Sequence, residues 1–238
     1  MITIEAVREY FKSELKNKNF TIDRTGAKTI EMIGASFIAD EEAIFGKPND
    51  DYIDAEIEWY DSQSTNINDI PYGDEPPKAW QYSANEHGEI NSNYGHLIWS
   101  EKYYNQFEQV INELEENPDS RRASMIYTRP SIWKEYNENG KNDFICTNSV
   151  TYYDRDSKLH AVVQMRSNDV IFGYRNDYAW QSYVLHQLAW ELHMDAGDIH
   201  WQVQNLHVYE RHFDLVKWSI DYWTWKPMEK IPLGGLGI

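Results

Sequence analysis

A single cysteine, Cys146, in 238 residues leaves no room for an internal disulfide or a paired-cysteine zinc site, and it suits a reducing compartment. No apolar run is long enough to span a bilayer, and charges interrupt the opening Met1-Ile-Thr-Ile-Glu-Ala-Val-Arg-Glu9, which does not read as a signal peptide. A cytoplasmic location, with no membrane association, is the expectation. Basic residues are few: 22 Lys and Arg stand against 39 Asp and Glu, for a formal net charge of −17. Such a chain repels a polyphosphate backbone and has no basic patch to offset it, which excludes direct nucleic-acid binding but not a small phosphate held by a few arginines. A Gly-rich phosphate loop and a His-Glu-x-x-His pair are also missing, so triphosphate and metal mechanisms have little support. His200, His207 and His212 come nearest to a metal cluster, but at a spacing unlike a helical ligand pair; no metal is expected, and the three read as hydrogen-bonding histidines.

What is present describes a packed protein. Hydrophobic residues make up 41% and aromatics 15%, and Pro, Gly and Ser are scattered rather than gathered into a linker, so residues 1–238 read as one domain. Thr3 is placed to cap a helix with the stripe Ile4, Val7, Phe11 and Leu15. Phe20–Asp23 and Lys28–Ile38 read as strands around the Arg24-Thr25-Gly26 bend. Asp51–Ser62 places Ile53, Ile57 and Tyr60 at helical intervals, with Glu56 beside that stripe and therefore in need of a partner. Thr65–Asn93, polar and interrupted by Pro71, Pro76 and Pro77, reads as a long site-lining loop that contains Trp80. A second helix is expected over Ser100–Leu114, a strand over Ala123–Tyr127, a buried helix over 178–194, a strand over Ile199–Tyr209 and a last helix over about Glu210–Tyr222. The mixed order of strands and helices points to an α+β fold.

Residues 143–178 concentrate the chemistry. One strand carries Cys146; a second, joined to it by the Asp154–Ser157 turn, runs into Arg166-Ser167; a Gly173 loop then leads to Asp177 at the mouth of the long helix. A soft nucleophile, an anion-binding pair and a carboxylate thus come from neighbouring elements, a set suited to covalent catalysis on a phosphorylated small molecule.

Asp119-Ser-Arg121-Arg122, Cys146, Arg166-Ser167-x-Asp169, Gly173 and His207-x-Tyr209 occur in the order and spacing of the thymidylate synthase family, which the chain resembles over roughly residues 20–215. Asp23-Arg24-Thr25-Gly26, Glu56-x-x-Trp59, Trp80 and Tyr94 extend the likeness. Within that family, Gly88-Glu-Ile-Asn-Ser-Asn-Tyr94-Gly95, Met125-Ile-Tyr-Thr-Arg-Pro130 and the run Met165–Trp180 are similar to the deoxycytidylate 5-hydroxymethylases of T-even-like bacteriophages. Thr147 stands where synthases have His, and Asp177 where they have Asn.

The last departure has a physical reading. Uracil offers a ring N–H beside a carbonyl, which an amide complements; cytosine offers a ring-nitrogen acceptor beside an amino donor, which a protonated carboxyl complements. Asp177 therefore selects cytosine, and sites that depend on such pairing discriminate by about 10⁴-fold. Taken by itself, an Asp at that place would read as a helix cap.

The resemblance implies the remaining assignments. Cys146 adds to carbon 6 of the pyrimidine, with Arg166 raising its thiolate fraction. Asp177 shares a proton with the ring nitrogen; Glu56 organises water and proton transfers, and Tyr94 moves the proton at carbon 5. The one-carbon donor is 5,10-methylenetetrahydrofolate, bordered by Trp80, Asp169 and Gly173. Arg24, Arg166 and Ser167 hold the phosphate of dCMP together with Arg121 and Arg122 from the second subunit of a homodimer, and His207 and Tyr209 meet the sugar. In a phage-encoded enzyme the location would be the host cytoplasm. Association with other nucleotide-synthesis enzymes is compatible, although no surface for it can be located. Three rivals stay open: a thymidylate synthase or dUMP hydroxymethylase, a CMP hydroxymethylase, and a non-enzymatic lectin-like binding module suggested by ten tryptophans in an acidic chain.

Overall fold

The computed structural model describes residues 2–24 and 26–221, with side chains described as far as 217. Thr25 of the first bend, Tyr222 at the end of the last expected helix and the glycine-rich tail lie outside the described residues.

Helix α1 (Ile4–Asn17) buries the expected Ile4, Val7, Phe11 and Leu15. Thr3 occupies the cap position but makes no side-chain cap bond. Instead, Asp40 Oδ1 accepts from the Ile4 amide at 3.0 Å, so a tertiary carboxylate does the capping. Strands β1 (Thr21–Ile22) and β2 (Lys28–Ile38) follow. Helix α2 (Asp50–Asp61) buries Ala55, Glu56, Trp59 and Tyr60, whereas Ile53 and Ile57 are only half-buried. The larger aromatic surfaces set which face turns inward, and they bring Glu56 in with them.

The stretch expected as loop carries a 3₁₀ turn (Ile67–Asp69) and the short helix α3 (Lys78–Ser83), which starts directly after Pro77. Helix α4 (Tyr94–Trp99) begins where the sequence suggested only a turn, because the Asn93 side chain accepts from the His96 amide at 2.7 Å. The helix expected over Ser100–Leu114 is broken: Tyr104 and Asn105 have φ of 68° and 42°, and α5 (Gln106–Glu116) starts afresh behind them. Next come β3 (Ser124–Ile126), the single-turn α6 (Ile132–Glu135), β4 (Thr147–Arg155), β5 (Lys158–Asp169), α7 (Gly173–Glu191), β6 (Asp195–Tyr209) and α8 (Phe213–Asp221).

The six strands form one sheet in the order β1-β2-β6-β5-β4-β3. β5 and β6 are parallel, bridged by α7, and every other pairing is antiparallel. Asp156 and Ser157, both at positive φ, close the β4–β5 hairpin in the mirror-image turn that matches strand twist. Leu159, Ala161, Val163 and Met165 alternate into the core and meet Trp201 and Val203 of β6. Their neighbours on the other face form a polar ladder: Ser149 Oγ and Gln202 Oε1 each lie within hydrogen-bond reach of Gln164, at 3.1 and 3.0 Å, and Gln164 and Gln202 stay exposed. α2 and α4 touch backbone to backbone, since a Cβ at Gly95 would lie 1.9 Å from the Tyr60 carbonyl oxygen. Among the described residues no helix is long and apolar enough to cross a membrane.

Candidate active site

Cys146 lies in the bend immediately before β4, not within the strand as the sequence suggested. The β4–β5 register skips a residue between Thr147 and Ser149, which loosens the ladder where the thiol sits. Pairing is retained at the cysteine itself, because the Arg166 amide donates to the Cys146 carbonyl at 2.8 Å. That contact sets Arg166 across from the thiol. One guanidinium nitrogen lies 3.4 Å from Sγ and 3.0 Å from the Phe144 carbonyl oxygen, with the guanidinium 5.1 Å over the Phe144 ring. Burial pushes the thiol up to about 11; Arg166 pulls it down, and the charges of Asp177 and Asp143 add to the rise. Arg166 thus acts in the direction the sequence led us to expect, favouring the thiolate against the larger opposing effect of desolvation.

Asp177 stands in the second turn of α7, not at its mouth. The helix starts early because Asp169 Oδ1 accepts from the amides of Ile171, Phe172 and Gly173 at 2.9, 2.7 and 3.4 Å, so Asp169 is the residue that caps α7. Gly173, expected in a loop, is the first helical residue. Freed from capping, Asp177 accepts from Asn168 Nδ2 at 2.8 Å through Oδ2. Burial, and then the charge of Glu56, drive its carboxyl well above the ordinary range, which favours the protonated form.

Glu56 has the partner its position demanded. Tyr52, one turn earlier on α2, donates to Oε1 at 2.5 Å, and Trp80 Nε1 reaches the same oxygen at 3.0 Å. Burial raises the Glu56 pKa, and these two bonds oppose the rise. Tyr94, at the start of α4, accepts from Thr147 Oγ1 at 3.0 Å, stacks on Tyr60 at 5.4 Å and meets Tyr127 edge-on at 5.1 Å. Its ionisation is opposed first by burial and then by the charges of Asp177 and Cys146, so the three groups share one locality.

The parallel β5–β6 register sets Asp169 opposite His207 and Ser167 opposite Asn205. The His207 and Tyr209 rings meet at 4.9 Å and 82°. Asp169 Oδ2 is buried and has no partner among the described residues. Arg24 is exposed on the β1–β2 turn, whose Asp23 bears on the ionisation of Tyr209; that turn borders the His207–Tyr209 end. Arg121 and Arg122 are exposed ahead of β3, at the opposite edge of the sheet, and Arg122 pairs with Glu113 at 3.0 Å. A single chain thus gathers Cys146, Arg166, Asp177, Glu56, Trp80 and Tyr94, and sets Asp169, His207 and Tyr209 in register beside them; it does not gather Arg121 and Arg122.

Sequence reasoning missed Tyr52 and Asn168. Tyr52 left a signal, four residues from Glu56 on one helix face. Asn168 left none, for its partners come from α7 and β6. Two other places carry less. His200 groups with His160 and Asp198, whose ligand atoms lie close enough together to hold a metal ion, rather than with His207 and His212; of the expected hydrogen-bonding histidines, His212 Nε2 accepts from Arg211 Nε at 3.0 Å. An open hollow of about 600 Å³ lined by Asp154, Trp190, His193 and Asp195 lies by the β4–β5 turn, away from all of these groups.

The thymidylate synthase family profile matches residues 8–231. The chain is 54% identical over 235 residues to the deoxycytidylate 5-hydroxymethyltransferase of Enterobacteria phage T4, covering 96% of this chain and 93% of the relative. The phage T2 protein of that name is 55% identical over 229 residues, covering 93% and 91%. A thymidylate synthase of Fusobacterium nucleatum is 33% identical over 153 residues, covering 63% of this chain and 54% of the relative.

Proposed function

The chain belongs to the thymidylate synthase family, and we propose that it is a deoxycytidylate 5-hydroxymethyltransferase, joining a one-carbon unit from 5,10-methylenetetrahydrofolate and a hydroxyl from water to carbon 5 of dCMP. The observation that carries this reading is the carboxyl of Asp177, held by Asn168 at 2.8 Å and near the single thiol, where burial favours its protonated form. A neutral acid in that place offers one donor and one acceptor and, with its O–H toward the ring nitrogen and its C=O toward the amino group, complements cytosine.

Cys146 gives its proton up to water as the base binds, to regain it when the sulfur leaves, and attacks carbon 6, forming the carbon–sulfur bond while the ring electrons move toward the nitrogen facing Asp177. The Asp177 hydroxyl shares its proton with that nitrogen and disperses the charge. Carbon 5 is then nucleophilic. The folate supplies a carbon at the formaldehyde oxidation level. Tyr94, with one lone pair taken by Thr147, keeps its own proton to donate and a second lone pair to accept with, which suits it to exchange at carbon 5. Glu56, steadied by Tyr52 and Trp80, takes the proton of the attacking water, and loss of Cys146 restores the ring. The balance is dCMP, methylenetetrahydrofolate and water giving 5-hydroxymethyl-dCMP and tetrahydrofolate.

The unpartnered Asp169 Oδ2 fits the N–H groups of a pterin ring, and Trp80, donating to Glu56, offers a ring face to the folate. Arg24, Arg166 and Ser167 hold the phosphate, with Arg121 and Arg122 contributed by the other subunit of a homodimer; His207 and Tyr209 meet the sugar. Exposed Ile126 and the uncovered Gln164–Gln202 ladder on the outer sheet face support sheet-mediated pairing. Mass analysis of products from purified protein, methylenetetrahydrofolate and dCMP, dUMP or CMP tests the assignment. A hydroxymethyl adduct on dCMP alone is expected. A methyl product on dUMP would make the protein a thymidylate synthase, and no product on any nucleotide would return the binding-module reading.

A further inference from the structure

We infer that Asn168, held in one orientation by Trp201, decides which oxygen of Asp177 carries the proton and so fixes the hydrogen-bond register in which cytosine is read. The inference rests on the proposed nucleotide and extends it to a positioning residue one step behind the base.

A protonated carboxyl has two nearly equivalent forms, with the hydrogen on either oxygen. Only one of them suits a cytosine lying in a given pose, because the ring nitrogen must meet O–H and the amino group must meet C=O. Asp177 cannot make that choice by itself. Asn168 Nδ2 donates to Oδ2 at 2.8 Å, which favours Oδ2 as the carbonyl oxygen and leaves the proton on Oδ1. Oδ1–H then faces the ring nitrogen, and the second lone pair of Oδ2 takes the amino group.

The amide of Asn168 could itself turn by half a revolution. Trp201 prevents this, because its indole N–H can only donate and lies 3.3 Å from Asn168 Oδ1. The reversed amide would set two donors face to face and turn a carbonyl toward Asp177, where it would capture the proton meant for the base. Asn168 is 3% exposed and Trp201 0%, so water cannot stand in for either partner. Gly173 leaves the amide its room: a Cβ there would lie 3.1 Å from Asn168 Nδ2 and 4.0 Å from Asp177 Oδ2. Glu56 from α2 bears electrostatically on Asp177, whose own charge bears on Tyr94 of α4, Tyr127 beyond β3 and the Cys146 thiol, yet Asn168 is its one hydrogen-bond partner among the described residues.

Calorimetric titration of dCMP and dUMP into the wild type, Asn168→Leu and Trp201→Phe tests the role, with thermal melts run alongside. Asn168→Leu keeps the volume and removes the bond; Trp201→Phe keeps the amide and removes its lock, and it carries the test if the first variant does not fold. The expected result is a fall in dCMP affinity of about ten- to a hundredfold for Asn168→Leu, and less for Trp201→Phe, with dUMP affinity changing little so that the preference for dCMP shrinks by the same factor. Equal weakening of both nucleotides, or an unchanged preference in a folded variant, would overturn the role of Asn168. A wild type with no preference for dCMP would overturn the substrate reading beneath it.

Discussion

Tyr52 and Glu56, one helical turn apart on α2, share a 2.5 Å hydrogen bond, and Trp80 reaches the same carboxylate oxygen at 3.0 Å. Both bonds favour the ionised carboxylate against its burial, which is the dominant upward influence on its pKa. Tyr52→Phe removes one of them and raises that pKa further. As pH falls, the variant loses its base form sooner, so the acid limb of its kcat profile moves to higher pH, with about a tenfold loss at neutral pH. Steady-state rates across pH 5–8 check this; an unmoved limb would detach Glu56 from proton transfer.

Asp177→Asn turns the proposed recognition toward uracil. The ratio of kcat/KM for dCMP over dUMP is expected to swing by on the order of 10⁴. Stability shifts in the opposite sense to most substitutions. The native state holds the Asp177 proton more tightly than the unfolded chain does, so its contribution is fully present below the unfolded carboxyl value of about 3.9 and is lost as pH rises through the folded one. The Asn variant lacks that loss, and should melt above the wild type at neutral pH with a gap that narrows toward acid. Paired thermal melts at pH 4 and pH 7 decide it.

The Cys146 thiol, pushed up to about 11, should alkylate slowly at pH 8 and faster as pH climbs toward that value. Arg166→Ala removes the main downward pull and slows the reaction further at any one pH. Iodoacetamide labelling followed by intact mass gives the profile, and a midpoint near 8.5 would contradict the burial argument.

Gly95→Ala sets a methyl group 1.9 Å from the Tyr60 carbonyl oxygen, a backbone atom that cannot swing aside. Forcing α2 and α4 apart is expected to cost about 3 kcal/mol. Urea denaturation reads the loss directly, and a change under about 1 kcal/mol would mean the helices separate freely.

Subunit sharing has its own test. A Cys146→Ser chain and an Arg121→Glu/Arg122→Glu chain should each be inactive, yet refolding an equal mixture should restore about a quarter of wild-type activity, because half the dimers are mixed and each contains one intact site. No recovery would place Arg121 and Arg122 outside the partner's site.

Much of the fold was legible in residue order. The helical stripe of α1, the β4–β5 hairpin around Asp156-Ser157 and the strand character of Lys158–Asp169 and Ile199–Tyr209 follow from local periodicity and turn chemistry. The errors fall at helix starts, where a side chain other than the expected one, or one not singled out, took the capping role. Asp40 replaced Thr3 as the cap of α1, and Asp169 capped α7 four residues ahead of its first turn, which moved Asp177 from a helix mouth to a helix interior. Asn93, accepting from the His96 amide, made a helix of Tyr94–Trp99.

The sequence alone determined the inventory of chemistry, namely one thiol, a carboxyl in place of an amide at position 177, and a set of arginines and aromatics in the order of a known family. Side-chain type and spacing are properties of the chain, and no folding is needed to read them. Only the tertiary structure decided the electrostatic surroundings. It set Cys146 against Arg166 in a desolvated place, put Asp177 near Glu56, and brought Asn168 and Trp201 behind the carboxyl. Desolvation depends on what surrounds a group in space, and that surrounding comes from segments that are far apart along the chain.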